Sequence, residues 1–265
     1  MVKIFQKKIS LMLALFLIIL IGVLACVLTY FVMQRYLSVS GDSDRQLSIQ
    51  QLYDAAVKDS ITIEQDEILP VISLEQGSPF ATYDDKGRIL LCTFHKYPDS
   101  YPDGADVTIT WSDVWTFSGA EMLDWYNQES DDVSDWPLRL KQLIGLPPDS
   151  EYSHVTAMWV NPDDIVRPAN VQDIGDIQMK DSLADNTDDD FKEWFDDNIV
   201  WSYFESDYPW TRLGYTYDWA QDSDEYGLSE FLVMDNSNVT VQYTVTIDEF
   251  ISMLENGRYL ENEAA

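Results

Sequence analysis

Residues 9–34 read ISLMLALFLIILIGVLACVLTYFVMQ and hold no Asp, Glu, Lys, Arg or His. As a helix this run is about 39 Å long at ~1.5 Å per residue, enough to cross a hydrocarbon core of roughly 30 Å with some tilt. A chain that carries such a segment must fold the remainder on one side of a bilayer. Lys3, Lys7 and Lys8 precede the run, whereas Arg35 and Arg45 follow it mixed with Asp42 and Asp44. Positive flanks stay cytoplasmic, so residues 1–8 are expected as a cytoplasmic tail and the bulk of the chain outside the cell membrane. Tyr30, Phe31 and Tyr36 fall where an outer aromatic belt belongs.

Two alternatives keep the same topology. A cleaved signal peptide has a shorter apolar core ending at a small-x-small site, and none follows Val32 and Met33 here. Val23-Leu24-Ala25-Cys26 resembles a bacterial lipobox, which would lipidate Cys26 after cleavage, but the next seven residues are more apolar than a lipoprotein start. The favoured reading is an uncleaved, single-pass signal anchor. Membrane attachment through residues 9–34 is therefore the first partner expected.

Charge constrains the second. The chain has 16 Lys+Arg and 47 Asp+Glu. Four of the cations and none of the acids lie in residues 1–36, leaving 12 cations against 47 acids and a net of −35 beyond the span. Such a surface repels phosphate backbones, so no nucleic acid partner is expected, and anionic headgroups are disfavoured. A basic protein would be attracted. Cys26 lies in the span and Cys92 in an expected strand, so they cannot pair, and Cys92 reads as buried and inert.

The remaining pattern gives an α+β class: an N-terminal transmembrane helix, then one mixed, mainly antiparallel sheet domain with several short helices. Residues 35–60 read as stalk and linker helix, with the helix over Gln46–Lys58, and residues 61–265 as the acidic domain. Strands are expected at 61–63, 71–74, 80–83, 88–95, 107–111, 114–117, 154–160, 211–219, 228–234 and 239–246. Asp84-Asp85-Lys86-Gly87 supplies a turn between the third and fourth. Ser118-Gly119-Ala120-Glu121 and Thr246-Ile247-Asp248-Glu249 read as capping boxes, and Ser134-Asp135-Trp136-Pro137 as another helix start with Asp or Ser as its cap. Thr187-Asp188-Asp189-Asp190 starts a helix whose acids complement its N-terminal dipole, with Phe191, Trp194, Phe195 and Ile199 as its apolar face.

Three stretches carry a resemblance: LRLKQLIGLPPD (138–149), WVNPDDIVRP (159–168) and YPWTRLGYTYDW (208–219), the last followed by GLSEF (227–231). Across roughly 107–231 the chain resembles a group of uncharacterised bacterial membrane-anchored or lipoprotein-like proteins. The resemblance implies a bacterial source and no activity.

No well-specified catalytic motif is present: no H-E-x-x-H, Walker A loop, G-x-G-x-x-G or G-x-S-x-G. Neither cofactor nor metal is expected. The run 185–190 spaces oxygens as a Ca²⁺ loop does, but Asp190 stands where the loop needs Gly, so it reads as a helix cap. Arg212, among Trp210, Tyr215, Tyr217 and Trp219, is a candidate clamp for a carboxylate or phosphate, against an internal ion pair with stacking on Trp210. Arg139 and Arg167 are read as internal partners of acids. Glu230 and Asp218 are weak catalytic candidates as a carboxylate pair of the glycosidase kind. The expected function is binding at the envelope, docking or neutralising a basic partner. The alternative is a glycan hydrolase whose cleft would gather Arg212, Tyr217 and Glu230.

Overall fold

The computed structural model describes residues 47–131 and 133–260. The apolar run 9–34 with Cys26, the lysines before it and the linker to residue 46 lie outside the described residues. Among the described residues, no helix is long and apolar enough to cross a membrane.

Strand β1 (Ile89–His95) sits in the middle of the sheet and every one of its residues is buried. It does not alternate apolar with polar because both its faces are covered. Leu90, Cys92 and Phe94 join a core with helices over one face. Ile89 and Leu91 join a second core, closed by loops that carry Ile72, Leu74, Tyr101 and Ile109. Around β1 lie β2 (Asp106–Thr108), β3 (Val114–Ser118), β4 (His154–Val160), β5 (Ile165–Val166), β6 (Tyr215–Tyr217), β7 (Tyr226–Val233) and β8 (Asn238–Thr246). Their order is β2-β8-β4-β1-β3-β7-β5, with β6 also on β7, and each pairing is antiparallel. β1 and β4 match over their full length, from Ile89 opposite Val160 to His95 opposite His154. The α+β class with a mainly antiparallel sheet is thus as expected.

The helices are α1 (Ile49–Asp59), α2 (Gly119–Glu129), α3 (Trp136–Leu143), α4 (Asp189–Val200) and α5 (Ile247–Glu255). Ser48 with Gln51 and Thr246 with Glu249 form complete capping boxes that satisfy otherwise orphaned N–H groups. Asp135 caps α3 ahead of Pro137, and Asp188 caps α4 through the N–H groups of Asp190 and Phe191. The acidic run at 185–190 therefore serves as a helix start. Helix α1 belongs to the compact unit Ser48–Ala265: Tyr53 and Ala56 pack on Tyr217 and Trp219.

Several expected strands are absent. Residues 61–63 and 71–74 run as irregular chain. Residue 72 shows why: the Ile72 N–H goes to the Ser229 hydroxyl at 3.1 Å, and its carbonyl accepts from Arg167 at 2.9 Å, so side chains replace a ladder. The arm at 80–83 shrinks to one bridge, Tyr83 to Ile89. The stretch 211–219 keeps only β6, because Arg212 (φ 62°) and Gly214 (φ 79°) adopt left-handed backbone that no strand continues through. The alternation of apolar Leu213, Tyr215, Tyr217 and Trp219 with polar Arg212, Thr216 and Asp218 holds in part: the apolar four are buried, but so is Asp218. β2 and β3, adjacent in sequence, do not pair. β2 lies on β8, while β3 lies between β1 and β7.

Candidate functional site

The end of α1, the loop at 66–67 and the β6–β7 hairpin enclose a cavity of about 130 Å³. Asp59, Asp66, Glu67, Tyr215, Tyr217, Asp224 and Glu225 belong to this region, and among the described residues no Lys or Arg lines the cavity. One carboxylate oxygen each from Asp59, Glu67 and Glu225 lie within 4.8 Å of one another. The sequence periodicity of 213–219 builds the floor, since it turns Tyr215 and Tyr217 to the same side. The Tyr217 hydroxyl donates to Asp59 Oδ2 at 3.0 Å, and the Tyr215 hydroxyl donates to the Glu67 carbonyl at 2.8 Å. The Asp218 N–H donates to the Glu225 carbonyl at 3.0 Å and fixes that loop against the hairpin.

Burial raises the Glu67 carboxyl above its usual range, and the charges of Asp59, Glu225 and Glu64 add to the rise. Burial also lifts both phenols, helped by Glu225 and Asp59 at Tyr217 and by Glu67 at Tyr215. A cavity whose walls are carboxylates and phenols favours a positive charge and disfavours an anion.

The sequence candidates scatter around this cavity. Tyr215 and Tyr217 line it. Trp219 is buried, its indole N–H donating to the Leu146 carbonyl at 3.0 Å. Arg212 donates to the carbonyls of Ser60 and Ile61, at 3.1 and 2.8 Å, and lies over Tyr203 at 5.3 Å. Its partners are thus carbonyl oxygens and Tyr203, where the sequence suggests an acid and Trp210. Asp218 receives Arg139 through both oxygens, at 2.9 and 2.6 Å, and that guanidinium also lies over Trp125. Glu230 is buried, and its Oε1 has no hydrogen-bond partner. Burial drives its carboxyl well above the usual range, against the opposing pull of the Trp210 indole and Arg167.

Arg167 is fully buried. Among the described residues no carboxylate lies within ion-pair range of it, which departs from the sequence reading. Its Nη2 donates to the carbonyls of Ile72, Ile174 and Asp176, at 2.9, 3.2 and 3.2 Å, and its Nε to that of Asp173 at 3.3 Å. The group lies over Phe231 at 4.8 Å. Gly214 makes room, since a Cβ there would stand 2.7 Å from Arg167 Cδ. Arg167 thereby adds side-chain bonds between two loops that also meet through the Val71 N–H on the Ile177 carbonyl and the Leu74 N–H on the Ile174 carbonyl.

His95 and His154, far apart in sequence, stack across β1 and β4 at 6.4 Å. His95 Nδ1 accepts the Tyr97 N–H at 3.0 Å, so Nε2 carries the proton and donates to Thr156 Oγ1 at 2.7 Å. Burial, then His154, pushes its pKa down to about 4. Cys92 is buried, and burial raises its thiol to about 12, as suits an inert position.

Asp59, Glu67 and Glu225 were not distinguishable in sequence. They are three acids among 47, separated by up to 166 positions (225 less 59), and no motif links them. No family model matches the chain, and no curated protein or solved structure is significantly similar to it.

Proposed function

We propose that this chain is a membrane-anchored extracytoplasmic binding protein of the bacterial envelope that docks a basic partner. Residues 9–34 serve as its anchor. The observation that carries the reading is the uncompensated charge of the domain, focused at a concave point. Ion pairs among the described residues join Arg88 to Asp84, Arg139 to Asp218 and Lys192 to Asp189. With 16 cations against 47 acids, most acids have no cation to meet. At the cavity lined by Glu67 and Glu225 the carboxylates of Asp59, Glu67 and Glu225 come within 4.8 Å of one another, and a Lys or Arg side chain of a partner fits that chemistry. Binding is favoured over glycan hydrolysis because Glu230 is buried and Asp218 is held by Arg139, so neither offers a carboxylate to the cavity.

The test is a titration of the full chain, held in zwitterionic nanodiscs, with oligolysine. Affinity should fall steeply as ionic strength rises. Asp59→Asn, Glu67→Gln and Glu225→Gln together should weaken binding more than the same neutralisation at exposed Asp163, Asp176 and Asp185. Salt-independent association, or equal losses for both sets, would refute the reading. A reporter that fluoresces only in the cytoplasm, fused at Ala265, should stay dark if the topology holds.

A further inference from the structure

Helix α4 ends in a wide π turn, Trp201–Glu205, in which the Ser206 N–H reaches back to the Trp201 carbonyl. Such turns rotate the side chains that follow relative to a continued α-helix. Here the inner face stays filled: Phe195 and Tyr203 pack with Trp210. The outer face carries Glu193, Asp196 and Asp197, all exposed, and then Val200, Trp201 and Phe204. The last three are 48, 43 and 70 % exposed. Trp201 is not loose, because it stacks on Tyr208 at 5.2 Å with the rings 15° apart. Apolar side chains this exposed and clustered mark an interaction surface rather than ordinary scatter.

The geometry points to this outer face of α4 and its π turn as a dock for a cationic amphipathic helix of another protein, one that sets Lys or Arg beside Leu or Phe. The proposal rests on the basic-partner reading above and names a second contact for it. Charge chooses the occupant. An apolar centre with an acidic rim complements an apolar centre with a basic rim. A second copy of the chain would bring the same acids face to face across a two-fold axis. Anionic lipid headgroups would meet Asp196 and Asp197 with like charge. An aromatic and aliphatic centre supplies the anchor residues from which interfaces draw most of their affinity.

The experiment compares two probes on the full chain in zwitterionic nanodiscs: an amphipathic Leu/Lys peptide, and oligolysine of equal charge. Phe204→Ala and Trp201→Ala should each weaken the Leu/Lys peptide by about tenfold and leave oligolysine unchanged. Trp111→Ala, at an exposed aromatic elsewhere, should change neither. If the Leu/Lys peptide binds Phe204→Ala as well as the unaltered chain, the face is not the dock, whatever oligolysine does. If neither probe binds, the basic-partner reading itself fails and this one with it. Two further results also overturn the proposal by assigning the face to another occupant. One is self-association by sedimentation that Phe204→Ala abolishes. The other is a Phe204→Ala effect seen in detergent and lost in nanodiscs.

Discussion

The Glu121 carboxylate accepts both the backbone N–H and the hydroxyl of Ser229, at 2.9 and 2.8 Å. In sequence Glu121 is the fourth residue of a capping box opened by Ser118. Ser118 does cap α2, through the N–H groups of Ala120 and Glu121. Glu121 instead turns inward and ties α2 to β7. A buried β7 serine whose hydroxyl already takes the Ile72 N–H needs an acceptor for its proton, and Glu121 is that acceptor.

Glu121→Gln should cost about 1–3 kcal/mol, because one acceptor becomes an NH₂ facing a donor. The variant should also alter the pH dependence. Burial lifts Glu121 to about 7, against Ser229 and Arg167, so the folded chain binds more protons than the unfolded chain between the ordinary carboxylate value of 4.5 and about 7. Its contribution is complete below 4.5 and is lost as pH rises through 7. Denaturant unfolding at pH 5 and pH 8 should show a loss toward pH 8 that shrinks in Glu121→Gln.

His95 acts in the opposite direction. Its folded pKa of about 4 lies below the ordinary 6.5, so the unfolded chain binds the extra proton. The contribution is complete above 6.5 and is lost as pH falls toward 4. Nitrogen-15 spectra at pH 6 should show a neutral ring protonated at Nε2. An imidazolium there would contradict the hydrogen bond from Tyr97.

Arg139→Met should destabilise by about 2–4 kcal/mol, since it strands the buried Asp218 carboxylate. Pairing it with Asp218→Leu should recover part of that loss, because an apolar pair removes the stranded charge. A double-mutant cycle by urea unfolding measures the coupling.

Gly227→Ala should cost about 3 kcal/mol or more, or prevent folding. A Cβ there would collide with the Thr216 hydroxyl and the Leu143 carbonyl, both of which hold β6 to α3 and β7. Thermal unfolding checks it. Gly77→Ala, where no atom lies within 4 Å, should cost only the strain of its positive φ.

The sequence by itself determined the local elements. α3, α4 and α5 begin within the runs 134–137, 187–190 and 246–249 that signal their starts, because a cap is chemistry within four residues, and the structure selects Asp135 and Asp188 as the caps of the first two. β4 runs over His154–Val160 because its apolar run is bounded by loop residues on both sides. The apolar set Leu213, Tyr215, Tyr217 and Trp219 is inward as its alternation implies, even though left-handed residues break the strand, but Asp218 is drawn in as well by Arg139. Tertiary structure decided the rest. It turned Glu121 from its cap to Ser229, gave Arg167 carbonyls instead of an acid, and drew Asp59, Glu67 and Glu225 together from distant parts of the chain. Those choices depend on which backbone groups remain unsatisfied once strands and loops are packed. That is a property of the assembled chain, and no local window of sequence contains it.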